Sequence, residues 1–317
     1  MRHVIIAGSI HASGIQVIAD RDDFTYTYLS DNEDLSYKDL IKDADALVLR
    51  TQSLTREDIM SSQNLKIVSR HGVGYDAVDV LALSEKGILL TIVGDVNSQS
   101  VAEHSMTLLL AAFKRLIKND YAVRVGPWDY RNNLETEEVF GKNLLILGYG
   151  RIGRRLAKIA DAFGMKVFAY DPFIDSSHWP DGYTTKVENL DAGFSFADCI
   201  SINMPRAKET LINRREFSLM KNGVIIVNTA RGGIINESAL LNALNNGKVS
   251  AAGLDVFDDE PPNSESPFTF LKQVVLTPHV AGLSKEAAEA MAVSSVQNVI
   301  DYFDGKLEQS LIVNKKN

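Results

Sequence analysis

The chain is short of cysteine, of long apolar runs and of positive charge. One cysteine, Cys199, in 317 residues excludes an intrachain disulfide and a cysteine-rich zinc site. It sits in the apolar run 196–202 and reads as a core residue. Such usage suits a reducing compartment, and the expected localisation is cytoplasmic. No segment approaches the ~18 apolar residues of a membrane span. The densest apolar run, 106–113, is followed at once by Lys114 and Arg115. The opening apolar run, VIIA, is shorter than the ~7–15-residue core of a signal peptide and reads as a first strand. Lys and Arg number 33 against 41 Asp and Glu, a net charge of −8 with no basic block. That balance argues against nucleic-acid or membrane-surface partners. It leaves room for a small anionic substrate, because local charge decides a pocket.

What is there is ordinary globular composition, 45% apolar and 23% charged, which rules out a disordered chain. The length suggests about two domains. Short β-branched runs at 4–7, 25–29, 46–50, 66–69 and 89–93 alternate with helical patterns such as 37–44 and 76–86. A longer helical pattern covers 101–123, and 126–141 is polar and irregular. A second series of strands is expected at 143–147, 166–170, 199–203, 224–228, 251–256 and 274–277. The last helical pattern runs over 285–302 and stops at Gly305. Strands alternating with helices predict βαβ units and parallel sheets. The organisation expected is two α/β units, divided near 97/98, with the second reaching about residue 284.

The second unit carries a phosphate-binding signature. Gly148-Tyr149-Gly150-Arg151-Ile152-Gly153 follows the apolar run 144–147 and opens the helical pattern 151–163. Gly148 suits the tight turn, Gly150 lets backbone approach a pyrophosphate, and Gly153 lets helix and strand pack closely. The pyrophosphate would meet the free N–H groups at the helix N-terminus. The next strand ends in Asp171, at the spacing expected for an acid that bonds a ribose 2′-OH. Its charge would repel a 2′-phosphate, which predicts NAD over NADP. The run Gly8 to Gly14 lacks this spacing and reads as a plain strand-to-helix turn.

Ligands in open α/β sheets bind beyond the carboxyl ends of strands, so polar residues just past predicted strands are the catalytic candidates. Arg231 follows the strand 224–228, Glu260 follows the strand ending near 256, and His279 follows 274–277. Arginine suits a bidentate grip on a carboxylate. Histidine suits general acid/base work near neutrality, and a neighbouring glutamate would raise its pKa. Taken singly, each has a plain structural explanation: a capping residue, an ion-pair partner, a solvated turn. Their joint placement carries the functional reading. Asp255, Asp258, Asp259 and Glu260 form an acidic run without a second histidine or ligand spacing, so no metal is expected.

These residues resemble the D-isomer-specific 2-hydroxyacid dehydrogenase family, nearest its 3-phosphoglycerate dehydrogenase and hydroxypyruvate/glyoxylate reductase branch. The carriers are Arg70-His71-Gly72-Val73-Gly74-Tyr75-Asp76, Ser100-Val101-Ala102-Glu103-His104, the glycine loop, and the segments 228–233, 253–261 and 277–282. The resemblance implies a Rossmann-type NAD-binding domain, 98–284. It also implies a discontinuous flavodoxin-like α/β substrate domain, 1–97 with 285–317. It implies His279 as acid/base, Glu260 as its partner and Arg231 as the substrate-binding cation. Gly72, Val73 and Gly74 would offer N–H groups to the substrate carboxylate, and Arg50 would face its distal end. Cofactor contacts are implied at Gly148, Gly150, Arg151, Ile152, Gly153, Asp171, Met204, Thr229, Ala230 and Gly282, with Asp255 on the nicotinamide carboxamide. A homodimer formed through the nucleotide domain is implied too. Two features depart from the pattern: Asn203-Met204-Pro205 stands where His-x-Pro is usual, and the 126–141 segment is longer than expected. Formate dehydrogenase relatives carry Gln where this chain has Glu260. The expected function is NAD-dependent 2-hydroxyacid oxidoreduction, on D-3-phosphoglycerate or on hydroxypyruvate or glyoxylate. A rival of another class is a non-catalytic NAD(H)-sensing interaction protein.

Overall fold

The computed structural model describes residues 1–31, 36–180, 182, 184–206 and 208–315. Two compact units divide the chain, Met1–Asn97 with Leu283–Asn317, and Ser98–Gly282. Among the described residues no helix is long and apolar enough to cross a membrane.

The first unit runs β1 (Arg2–Ala7), α1 (Ala12–Ala19), β2 (Phe24–Leu29), α2 (Tyr37–Leu40), β3 (Ala46–Leu49), α3 (Arg56–Ser61), β4 (Ile67–Arg70), α4 (Val80–Lys86) and β5 (Leu89–Thr91). Its five strands are all parallel, in the order β2-β1-β3-β4-β5. That is the flavodoxin-like order, with its topological switch between β1 and β3. Ala46, Leu47, Val48 and Leu49 are all wholly buried, which is why β3 reads as a continuous apolar run without alternation. Ile5, Leu47 and Leu49 pack with Ile59 and Leu83 on one face. On the other, Val4, Ile6 and Val48 pack with Ile18, Val296 and Ile300.

The second unit runs α5 (Ser98–Phe113), α6 (Leu116–Arg124), β6 (Asn143–Leu147), α7 (Arg151–Ala162), β7 (Lys166–Tyr170), β8 (Thr185–Lys186), α8 (Leu190–Phe196), β9 (Cys199–Ile202), α9 (Arg214–Leu219), β10 (Val224–Asn228), α10 (Glu237–Asn245), β11 (Val249–Leu254) and β12 (Val274–Leu276). The final helix, α11 (Lys285–Phe303), belongs to the first unit. The seven strands are parallel in the order β12-β11-β10-β9-β6-β7-β8, so the order reverses at β6 and β9. This is a Rossmann-type sheet, and its ligand crevice is expected beyond the carboxyl ends of those two strands. Cys199 is wholly buried in β9.

Three expectations need correction. The helical pattern 101–123 is two helices, because Arg115 takes a left-handed φ of 48° and its guanidinium donates to Ser250 O at 3.0 Å. The pattern 76–86 becomes helical only at Val80. Leu54 N–H bonds Ala77 O and Asp79 N–H bonds Leu54 O, holding Val78 in a parallel bridge to Leu54 until the Asp79 side chain caps α4. The pattern 37–44 is helical only over Tyr37–Leu40, and the short strand β8, which gave no period-2 signal, was not expected.

His71 gives the first unit a pH-dependent stability. It is buried just past β4, and its Nε2 finds no hydrogen-bond partner among the described residues. Burial, helped by the Arg50 charge, pushes its pKa from 6.5 down to about 4. The unfolded chain therefore binds a proton between those values that the folded chain refuses. This contribution is complete above about pH 6.5 and is lost as pH falls toward 4, costing roughly 3 kcal/mol. Urea midpoints of the wild type and His71→Phe should diverge over that window. Parallel pH profiles would remove His71 from the account.

Candidate active site

The glycine loop lies at the switch of the second sheet. Gly148 has φ 92°, and a Cβ there would stand 2.7 Å from Asn203 O, the loop leaving β9. A Cβ on Gly153 would stand 2.2 Å from Gly148 O. Both glycines are required by the fold itself. Gly150 is different: a Cβ there would meet nothing within 4 Å, and its φ of −79° suits any residue. Gly150 is the N-cap of α7 and offers no side-chain cap. The first N–H groups of that helix, carrying its positive dipole end, have no side-chain cap, and the space beside Gly150 is open. A pyrophosphate fits those donors, so these residues fit a dinucleotide. Asp171 closes the loop from the side. Its Oδ2 accepts Tyr149 N–H at 2.9 Å and its Oδ1 accepts Phe173 N–H at 3.0 Å. Tyr149 in turn stacks on Trp179, centroids 4.7 Å apart, and its hydroxyl bonds Thr184 Oγ1 at 2.7 Å. Met204 packs half-buried against the core beside this loop.

The structure brings Glu260 and His279 into direct contact, His279 Nδ1 to Glu260 Oε2 at 2.6 Å. The second carboxylate oxygen accepts Phe257 N–H at 3.0 Å, which fixes the pair's orientation. The Glu260 hydrogen bond raises the His279 pKa above its ordinary value, against desolvation and the Arg231 charge. Burial works to raise Glu260. The hydrogen bonds from His279 and Phe257 N–H, with the His279 and Arg231 charges, outweigh burial and hold it low. The imidazole is half-exposed, and Nδ1 is the nitrogen that Glu260 holds.

Arg231 stands on a turn built by Asn228, whose Oδ1 accepts Ala230 N–H at 3.0 Å and whose Nδ2 donates to Arg231 O at 2.8 Å. This is the short Asx device expected where a polar side chain ends a strand. The turn is pressed against the Glu260 loop: a Cβ on Gly232 would stand 1.9 Å from Phe257 O, and Gly233 N–H bonds Asp258 Oδ1 at 2.6 Å. The two loops are thereby locked together, and Arg231 acts on the titration of both Glu260 and His279.

Asp255 is held by the loop that follows β12. It is wholly buried, and its carboxylate accepts Thr277 Oγ1 at 2.6 Å and the N–H groups of Val280 and Ala281, each at 2.9 Å. Its own carbonyl accepts His279 N–H at 2.9 Å. Asp255 thus anchors the loop that carries the imidazole. Thr229 is also largely buried, its hydroxyl bonded to Ser105 Oγ at 2.7 Å. Ala230 is partly buried, and Ala281, just before Gly282, is held through its N–H and carbonyl. Among the described residues no cluster of three or more metal-ligating side chains forms.

In the first unit, Gly72, Val73 and Gly74 are partly exposed, and no acceptor serves their N–H groups among the described residues. Arg70 braces this loop, donating to Gly74 O at 2.9 Å and Leu49 O at 3.0 Å. Arg50 lies at the β1/β3 switch: its N–H bonds Ala7 O at 3.0 Å, and a Cβ on Gly8 would stand 2.8 Å from the Arg50 Cβ. Its guanidinium pairs with Asp31 at 2.6 Å.

Comparison with known proteins identifies the family. The model for the NAD-binding domain of D-isomer specific 2-hydroxyacid dehydrogenases matches residues 106–281. The D-3-phosphoglycerate dehydrogenase of Methanocaldococcus jannaschii is 36% identical over 315 residues, covering 98% of this chain and 59% of its own length. The hydroxypyruvate reductase of Thermotoga maritima is 40% identical over 265 residues, 82% of this chain and 85% of its own. The crystal structure of a D-lactate dehydrogenase from Aquifex aeolicus, complexed with NAD and lactic acid, superposes with a TM-score of 0.86. It is 28% identical and covers 99% of this chain and 100% of its own. The chain spans 52 to 59% of the length of the archaeal D-3-phosphoglycerate dehydrogenases it matches. The two parallel sheets, the NAD-type glycine loop and this similarity place the chain in the D-isomer-specific 2-hydroxyacid dehydrogenase family.

Proposed function

We propose that the chain is an NAD-dependent dehydrogenase that interconverts a D-2-hydroxy acid and its 2-oxo acid. The observation that carries this reading is the His279–Glu260 pair locked beside Arg231 in the unit that holds the dinucleotide loop. NAD, when bound, accepts a hydride from C2 of the hydroxy acid or, reduced, returns it. Gly148, Gly150, Arg151, Ile152, Gly153 and Asp171 would hold it. Arg231 grips the substrate carboxylate and polarises the C2 carbonyl. His279, oriented through Nδ1, moves the oxygen's proton at Nε2. Glu260 stabilises the imidazolium. The open N–H groups of Gly72, Val73 and Gly74 are further candidates for a carboxylate. A homodimer is part of the same reading, supported by exposed apolar side chains at Leu116, Tyr121, Val125 and Trp128.

For substrate we favour D-3-phosphoglycerate, with Arg50 as the candidate phosphate cation. Hydroxypyruvate or glyoxylate is the second reading, and the Arg50–Asp31 pair favours it, because that cation is already partnered. Arg70 is spent on the Gly72–Gly74 loop. NADH absorbance decay with 3-phosphohydroxypyruvate, hydroxypyruvate and glyoxylate separates these. A kcat/KM preference of roughly tenfold or more for the phosphorylated acid is the gain expected from one charge-assisted contact. Parity or a reversed order selects hydroxypyruvate or glyoxylate. NADH binding without turnover on any 2-oxo acid would return the sensing protein.

A further inference from the structure

Helix α5 buries Ala102, Met106, Leu109 and Ala112 in the core and carries three polar side chains that bond to neighbouring loops. Ser100 and His104 stand one turn apart, at i and i+4, and Ser105 lies about 100° further round the helix. Each reaches a different point of the catalytic loops. Ser100 Oγ donates to Ala281 O at 2.7 Å, His104 Nε2 meets Thr277 Oγ1 at 3.0 Å, and Ser105 Oγ meets Thr229 Oγ1 at 2.7 Å. Polar groups on an apolar helix face cost stability unless partnered. Here all three partners lie on loops leaving β10 and β12, beside Arg231 and His279.

The direction of the middle bond follows from proton counting. A threonine hydroxyl has one proton, and Thr277 gives it to Asp255 Oδ1 at 2.6 Å. Thr277 therefore accepts from His104, whose ring carries its proton on Nε2. The chain continues through Asp255, whose carboxylate takes the N–H groups of Val280 and Ala281. Between these anchors His279 adopts a left-handed φ of 52°. That conformation is unfavourable for a residue with a Cβ and persists only when its surroundings over-determine it.

We propose that His104 is a positioning residue: through Thr277 and the buried Asp255 it holds the strained backbone that aims His279 at its substrate. The inference rests on His279 as the proton-transferring group. His104→Leu should lower kcat by about tenfold to a hundredfold, the cost of misplacing a catalytic group by an ångström. The KM for NAD should change less than about twofold, since the glycine loop is untouched. His104→Gln places an amide N–H near the position of Nε2 and should restore most of kcat. Thr277→Val cuts the same relay and keeps the side-chain volume, and its double variant with His104→Leu should be no worse than the more damaging single change.

A second readout is independent of turnover. Ring resonances of the six histidines, followed by NMR with and without NAD, should show the His279 titration moving toward its ordinary value in His104→Leu and staying raised in His104→Gln. The His279→Gln spectrum identifies the resonance. An inactive His279→Gln alongside wild-type kcat and an unmoved His279 titration in both His104→Leu and Thr277→Val would overturn the relay alone. Equal losses in His104→Leu and His104→Gln would overturn it too, by reducing His104 to packing. Wild-type turnover in His279→Gln would overturn the acid/base reading beneath it.

Discussion

His279→Gln should lower kcat by about two to four orders of magnitude, the usual worth of a positioned general acid/base, while NADH affinity stays within a few-fold. The glutamine amide cannot take or release a proton at neutral pH. The imidazole is half-exposed and lies at the end of the β12 loop, so its removal leaves no cavity in the core. Arg231→Lys belongs with it. Lysine keeps the charge but loses the planar fork that matches a carboxylate, so both KM for the 2-oxo acid and kcat should suffer. Stopped-flow NADH absorbance and NADH fluorescence titration separate the chemical step from cofactor binding. Turnover within threefold of wild type in His279→Gln would end the assignment.

The Glu260 contact adds a pH signature with a definite sign. Reduction of the 2-oxo acid requires a protonated His279, so kcat/KM in that direction falls as pH rises through the His279 pKa. Glu260 is the largest cause raising that pKa. Glu260→Gln should therefore move the fall to lower pH, and the rise of the oxidative direction should move with it.

How much of this was legible in the sequence depends on the kind of contact. The strands β6, β7 and β10 lie where their apolar runs do, because β6 and β10 are buried on both faces, β7 on one, and each is followed by a polar or glycine turn. The pattern 101–123 misled because apolar spacing persists through residue 115. The break there is set by a long-range bond from Arg115 to Ser250 O. In the site, residues at strand ends were visible as types: an arginine, a glutamate and a histidine, each just past an apolar run. What held them was not. Asp255 looks like any acid after a strand until three donors from 277–281 fold back onto it. His104 ends the segment Ser100-Val101-Ala102-Glu103-His104, yet only the fold shows that its partner is Thr277. The one available signal was a set of polar residues within a largely apolar helix. Arg70 is the converse case, a cation beside the Gly72–Gly74 loop whose hydrogen bonds go to main-chain carbonyls.

The glycine loop supplies the second large effect, because its glycines serve different masters. Gly150→Val should fold normally, with Tm within about 2 °C of wild type, the range of a neutral surface change. Its φ of −79° is ordinary, and the new Cβ meets no atom within 4 Å. The same side chain projects into the space where a pyrophosphate would approach the α7 N–H groups. Losing two or more charge-assisted hydrogen bonds there should raise the NADH dissociation constant by about a hundredfold or more. Gly153→Val should do the opposite in kind. Its Cβ would lie 2.2 Å from Gly148 O, inside the protein's own backbone. The turn must then open or the helix must shift, a cost of about 4 kcal/mol or more. Thermal melts without cofactor should show a large loss for Gly153→Val and none for Gly150→Val, and NADH titration of Gly150→Val then reads the cofactor contact alone. Wild-type NADH affinity in a well-folded Gly150→Val would mean that the dinucleotide does not approach α7 at all. The glycine loop would then be a packing device, as Gly148 and Gly153 already are, and the NAD site would have to be sought elsewhere on the carboxyl edge of the sheet.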